Sequence, residues 1–177
     1  MNRNIMMVIA VAIAVAGFVS NSAARQVQTR GPSTQEERER FLEITHLLEK
    51  DPLNAGLTND REWALLWLIQ APDIHSELCS DTLDGFMKEK KYPYHGEILR
   101  QLTFAGAAFT IENPEKANDR LAQLVAAVEG ALNAYSAILR KRPEARSKSL
   151  DELLQKQEQG QLQEFVRGAA DKGCRKH

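Results

Sequence analysis

The sequence has 177 residues, of which 43% are hydrophobic and 27% charged, and this suits one compact domain with a small additional segment. Because 23 Lys and Arg stand against 24 Asp and Glu, the formal net charge is −1, and the overall charge gives no support for a nucleic-acid partner. Two cysteines allow at most one disulfide within the chain, which excludes a disulfide-dense scaffold.

The first 24 residues have the three zones of a secretory signal peptide. Arg3 supplies positive charge, residues 5–19 form an uncharged and almost wholly apolar run, and Ser22 and Ala24 place small side chains before the cleavage point. We therefore predict a signal peptide over residues 1–24, cleavage after Ala24, and export to the periplasm or the extracellular space. The run is shorter than the about 20 apolar residues of a membrane-spanning helix, which favours cleavage over an anchor. Because no other apolar run in the sequence approaches that length, we expect no stable membrane insertion once the leader is cleaved. The alternative is an uncleaved N-terminal helix that anchors the protein to the membrane.

Residues 25–32 are polar and unpatterned, which predicts a flexible arm before a helical domain over residues 33–177. Ser33 and Glu36 have the spacing of a capping box, which predicts a first helix that runs to about Lys50. Asn59 is the predicted cap of a second helix. Its segment 63–69 is apolar on all sides, and we expect it to be buried.

Further helices are predicted over about 75–90, with an interruption at 84–85, and over about 96–112. The Asn113-Pro114 pair predicts the start of a fifth helix over about 114–142, about 43 Å long. This helix carries an apolar stripe with helical spacing: Leu121, Leu124, Val125, Val128, Leu132, Tyr135 and Leu139.

Two short helices separated by Gly160 follow, the first predicted to begin at a Ser149–Glu152 capping box. No segment alternates with the period of a strand. The predicted fold is therefore all-α, a single bundle of six to seven helices around the long fifth one.

The two cysteines are predicted to pair. Cys79 falls in the predicted third helix and Cys174 lies near the C-terminus, and cysteines of a small exported domain are usually disulfide-bonded. In the chain-entropy account, closing the loop between residues 79 and 174 with a disulfide stabilises the fold by about 4.6 kcal/mol. A reactive thiol has no support, because the sequence contains no Cys-x-x-Cys pair.

One short segment gathers groups that could bind a ligand. Tyr92, Tyr94, His95 and Glu97 lie around a proline on a predicted surface loop, where His95 and Glu97 could serve acid–base chemistry. The simpler interpretation is that the tyrosines pack on the bundle. We assign no catalytic residue, no cofactor and no metal, because the metal-ligand spacings are incomplete and the common catalytic and nucleotide-binding motifs are missing.

The C-terminal third resembles small exported helical immunity proteins in its Arg142-Pro143-Glu144 helix end and near-terminal Cys174. This resemblance extends over about a fifth of the chain and includes no specific motif, so it assigns no family. The sequence favours an exported, non-catalytic protein that binds another protein or a component of the cell envelope. One alternative is an envelope enzyme using His95, Glu97, Tyr92 and Tyr94. A second alternative is an adaptor that dimerises through the stripe of the long helix.

Overall fold

A computed structural model describes residues 30–174, and these form an all-α fold without a strand. The predicted signal peptide and most of the predicted arm lie outside the described residues. Seven α-helices follow one another: α1 Gln35–Lys50, α2 Thr58–Gln70, α3 Asp84–Met87, α4 His95–Glu112, α5 Arg120–Lys141, α6 Lys148–Glu158 and α7 Leu162–Gly173. Short 3₁₀ turns at Ala55–Leu57, Ser80–Leu83 and Pro114–Lys116 precede α2, α3 and α5.

The α4–α5 pair is the centre of the fold. Val128, Leu132 and Ile138 of α5 are fully buried, as its apolar stripe predicts. The two helices pack closely where Gly130 faces Ala105, because a Cβ at position 130 would lie only 2.2 Å from the Cβ of Ala105. The prediction of an all-α fold around a long apolar helix is therefore confirmed.

Two apolar clusters pack around this pair. The larger one joins α5 to α3, α6 and α7 and contains Phe86, Tyr135, Leu150 and Val166. The second joins α4 to α1 and α2, where the Phe41 ring contacts the rings of both Trp67 and Phe104. Each terminal part of the bundle thus has its own core against the central helices.

Three helix starts differ from their predicted positions. The capping box of α1 is formed by Thr34 and Glu37 rather than by Ser33 and Glu36. The start of α2 is Thr58, one residue before the predicted cap. Ser147, not Ser149, caps α6, because its side chain accepts the Leu150 N–H at 3.2 Å.

Two predicted helices are shorter than expected. The helix predicted over 75–90 is reduced to one 3₁₀ turn and the four-residue α3, so Cys79 lies outside an α-helix. In this segment the Glu77 N–H donates to the Gln123 side chain rather than to a helical carbonyl. The fifth helix begins at Arg120 instead of Pro114, because Asp119 caps it by accepting from Ala122 N–H. With 22 residues, α5 is about 33 Å long.

Candidate functional site

The predicted ligand loop is mostly packed against the bundle. Tyr92 is only 8% exposed, and its hydroxyl donates to the Ala145 carbonyl at 3.1 Å. Its ring meets Phe86 and Tyr135 edge-on, at centroid distances of 5.5 and 6.4 Å. Burial raises the pKa of the Tyr92 hydroxyl well above its usual value, so this group remains a hydrogen-bond donor at neutral pH.

The structure brings His95 to the same aromatic cluster but does not join it to Glu97. His95 begins α4 and stacks on Phe86 with a centroid distance of 4.7 Å, while Tyr94 contacts Tyr92 at 6.0 Å. The Nε2 atom of His95 is buried and has no hydrogen-bond partner among residues 30–174. Glu97 is half-buried on the first turn of α4. This geometry lacks the histidine–carboxylate contact that orients a general base.

The predicted disulfide is present. Cys79 and Cys174 are bonded, with Cα atoms 5.8 Å apart, and the bond ties the segment before α3 to the end of α7. The Asp81 carboxylate lies within 4.8 Å of both sulfur atoms. Since both sulfurs are used in the disulfide, neither offers the thiolate that a metal ion would need.

One surface of α2 contradicts the prediction that segment 63–69 is buried on all sides. Only Ala64 and Trp67 of α2 are fully buried. Leu65, Leu66 and Ile69 are 41%, 58% and 72% exposed, and the partly buried Trp63 lies one turn before Leu66. We refer to Trp63, Leu65, Leu66 and Ile69 as the α2 surface. Among residues 30–174, the neighbours of α2 cover its Trp67 side and leave these side chains exposed.

Aromatic and cationic contacts hold the α2 surface in place. The Trp63 ring stacks on Trp67 with centroids 5.9 Å apart, and the Arg40 guanidinium lies 4.0 Å from the Trp63 centroid. Arg40 also pairs with Asp60 at 3.1 Å. At the other end of α2, Arg30 donates to the Trp67 carbonyl at 3.4 Å and pairs with Glu37 at 2.5 Å. The α2 surface is therefore built on a fixed framework.

A groove of about 820 Å³ lies between α6, α7 and the turn that leads into α3. Its base includes the buried side chains of Leu83, Phe86 and Leu153, and Phe165 lines a wall. Charged side chains of both signs surround it. Sequence patterns did not indicate this groove, because its residues come from three segments that are distant in the chain.

The apolar stripe of α5 is not an exposed surface. Leu124, Val128, Leu132 and Tyr135 are buried, and Leu121, Val125 and Leu139 pack against the same core. Although α5 is long and apolar enough to cross a membrane, it is the core helix of the described residues, and 61% of its apolar window is buried. Dimerisation through this stripe would need a surface that the chain already uses internally.

Comparison with protein-family models, curated proteins and solved structures finds no match.

Proposed function

We propose that the mature chain is an exported, non-catalytic binding protein and that the α2 surface docks onto a partner protein. The observation that carries this proposal is the exposure of Leu65, Leu66 and Ile69 side by side on one helix. Clustered apolar groups of this kind typically mark an interaction site on a protein that is otherwise well packed. Covering them with a partner removes apolar area from water, and this favours binding by about 25 cal/mol for each Å².

The charges around the α2 surface favour a protein rather than a lipid partner. Arg40, Asp60 and Glu62 lie beside or within α2, so the edge of the surface carries both signs. A helix that lies on anionic lipid typically has a basic polar face. An apolar centre with Trp and Arg, surrounded by mixed polar groups, is typical of protein–protein interfaces.

Export is supported by the leader sequence and by the disulfide. Structural disulfides persist mainly in oxidising compartments, which agrees with the periplasmic or extracellular destination that residues 1–24 predict. We accordingly expect the partner to be a protein of the cell envelope or its surroundings. The alternative of an envelope enzyme has less support, because His95 packs on Phe86 and forms no hydrogen bond with Glu97 within residues 30–174.

The experiment compares one surface variant with a matched control. The double variant Leu66→Gln/Ile69→Gln removes apolar area from the α2 surface, and Leu78→Gln changes a similarly exposed leucine, 51% exposed, outside α2. A partner is first identified by cross-linking the mature domain in an envelope extract, and is then purified. We expect the double variant to bind this purified partner at least about tenfold more weakly than the native domain, and Leu78→Gln to bind normally.

Three outcomes would contradict the proposal. Equal binding by the double variant and the native domain would place the interface elsewhere. Sedimentation of the native domain with anionic vesicles, lost in the double variant, would make the surface a lipid-binding one. A concentration-dependent dimer that the double variant abolishes would make the partner a second copy of the chain.

A further inference from the structure

A second site, separate from the α2 surface, is indicated by the groove between α6 and α7. We propose that it binds an extended, zwitterionic peptide of about four residues with apolar side chains. Its volume of about 820 Å³ falls within the range of ligand-binding clefts, about 300–1,000 Å³. The Cys79–Cys174 bond fixes one end of it, since this bond joins the turn before α3 to the end of α7.

The walls leave room for apolar side chains against the backbone of α7. Leu83, Phe86 and Leu153 are 1%, 0% and 5% exposed and lie beneath the groove, so the apolar groups open to a ligand are mainly the partly exposed Phe165 and Ala169 of α7. On α7, Gly168 lines the groove, and a Cβ built there would have no atom within 4 Å. A ligand can therefore approach this helix more closely than a larger residue at position 168 would allow.

One cation and one anion lie at each end of the groove, and Glu152 of α6, which is 4.0 Å from Lys148, is a fifth charged residue in the lining. At the α6–α7 turn, Lys156 lies over the Phe165 ring at 5.3 Å, and Glu164 is the neighbour of Phe165 in sequence. At the disulfide end, Asp81 lies against the backbone of Gly173, next to Lys172. Within residues 30–174 none of these four charges forms an ion pair, whereas Arg30, Arg38 and Arg40 each pair with a carboxylate.

This distribution of charge and the length of the groove define the ligand class. A peptide with a free amino group and a free carboxylate finds an opposite charge at both ends, and its side chains contact the partly exposed Phe165 and Ala169. From Glu164 to Gly173, α7 rises about 13 Å, which matches about four residues of extended chain. A purely apolar ligand would leave the charged ends unused.

The test uses one peptide with and without its terminal charges. The probe is the tetrapeptide Ala-Leu-Leu-Ala with free ends, and its N-acetylated, C-amidated form is the control. We expect calorimetry with the mature, disulfide-bonded protein to show binding of the free peptide, and binding at least about tenfold weaker for the blocked one.

Two glycine variants locate the binding site. Gly168→Leu fills the groove and should weaken binding of the free peptide at least about tenfold. Gly96→Leu is the matched control, because Gly96 also lies in a helix with open space at its Cβ, but outside the groove. Both changes replace glycine within a helix by a better helix former, and circular dichroism verifies that each variant folds.

The proposal is overturned by three results. These are no binding of the free peptide at millimolar concentration, equal binding of the blocked peptide, or equal loss of binding in Gly96→Leu and Gly168→Leu. Stronger binding of decanoate than of the free peptide, lost in Gly168→Leu, would replace the peptide by an acyl carboxylate. None of these results affects the proposed role of the α2 surface, because no residue is shared between the two sites.

Discussion

Asp73 is the residue that fastens the start of α1 to the segment after α2. Its carboxylate accepts hydrogen bonds from the backbone and the hydroxyl of Ser33, both at 2.8 Å, and from Arg38 at 2.7 Å. Burial opposes ionisation of Asp73, but these donors outweigh it and lower the pKa of the carboxyl to about 2. The ionised form therefore stabilises the folded chain at neutral pH.

We expect Asp73→Asn to lower the free energy of unfolding by about 1 kcal/mol at pH 7, an estimate reduced for solvent screening because the carboxylate is partly exposed. The pKa of Asp73 in the folded state lies below its ordinary value of 3.8, so its contribution is complete above about pH 4 and is lost as the pH falls toward 2. Urea denaturation of both proteins at pH 7 and pH 2 measures this. A difference that is as large at pH 2 as at pH 7 would show that ionisation of Asp73 is not its cause.

The same contacts explain why the cap of α1 was predicted one residue too early. Ser33 and Thr34 are adjacent capping residues, and each has a glutamate three positions later, Glu36 or Glu37. Local spacing cannot choose between them. The Ser33 hydroxyl donates to Asp73 instead of capping α1, and the Thr34 side chain therefore caps the helix. This choice depends on a contact between residues 40 positions apart, which no local pattern contains.

At the scale of elements, Tyr135 joins α5 to α6. Its hydroxyl donates to Asp151 at 2.7 Å and accepts from the Ser147 N–H at 2.9 Å, in surroundings where Ser147 is 1% exposed. Burial contributes most to raising the pKa of Tyr135 to about 12, so the hydroxyl stays protonated as a donor. The start of α6 therefore depends on one side chain of the central helix.

Tyr135→Phe removes this contact while it keeps the ring. The Ser147 N–H then has no acceptor in a buried position, and we expect the free energy of unfolding to fall by about 1–3 kcal/mol. Urea denaturation at pH 7 measures the change. The control is Tyr94→Phe. In the native chain the Tyr94 hydroxyl forms no hydrogen bond with any other residue from 30 to 174, so we expect this variant to be as stable as the native protein. Equal stability of the two variants would rule out this role for the Tyr135 hydroxyl.

The sequence predicted the periodic helices well, including the two short ones on either side of Gly160, but it predicted segment 71–83 and the exposure of segment 63–69 poorly. The positions of α4 and the apolar side of α5 follow from helical periodicity, which a long segment repeats several times. Segment 63–69 has apolar residues on every side, so no periodicity distinguishes its covered face from its exposed face. For segment 71–83, the Gln123 side chain and the bond to Cys174 determine the path, and both act from distant parts of the chain.

At the scale of the whole molecule, the two candidate sites lie on different parts of the bundle. The α2 surface belongs to the N-terminal part of the fold, whose core contains Phe41 and Phe104. The groove belongs to the C-terminal part, and the disulfide closes it. Because α4 and α5 connect both parts, the chain could hold a partner protein on one and a peptide on the other. Both proposals assume export, and the groove also depends on an intact disulfide.

The intact mass of the protein, expressed with its own leader, tests these two conditions together. We expect a product that begins at Arg25 and is lighter by two hydrogens than the free dithiol, because the leader sequence predicts cleavage after Ala24 and Cys79 pairs with Cys174. Reduction and alkylation should then add two alkyl groups. A product that retains residues 1–24 would instead support the membrane-anchored alternative. Two thiols that react without reduction would show that the bond is absent in the cell, and the groove would lose the link that fixes its disulfide end.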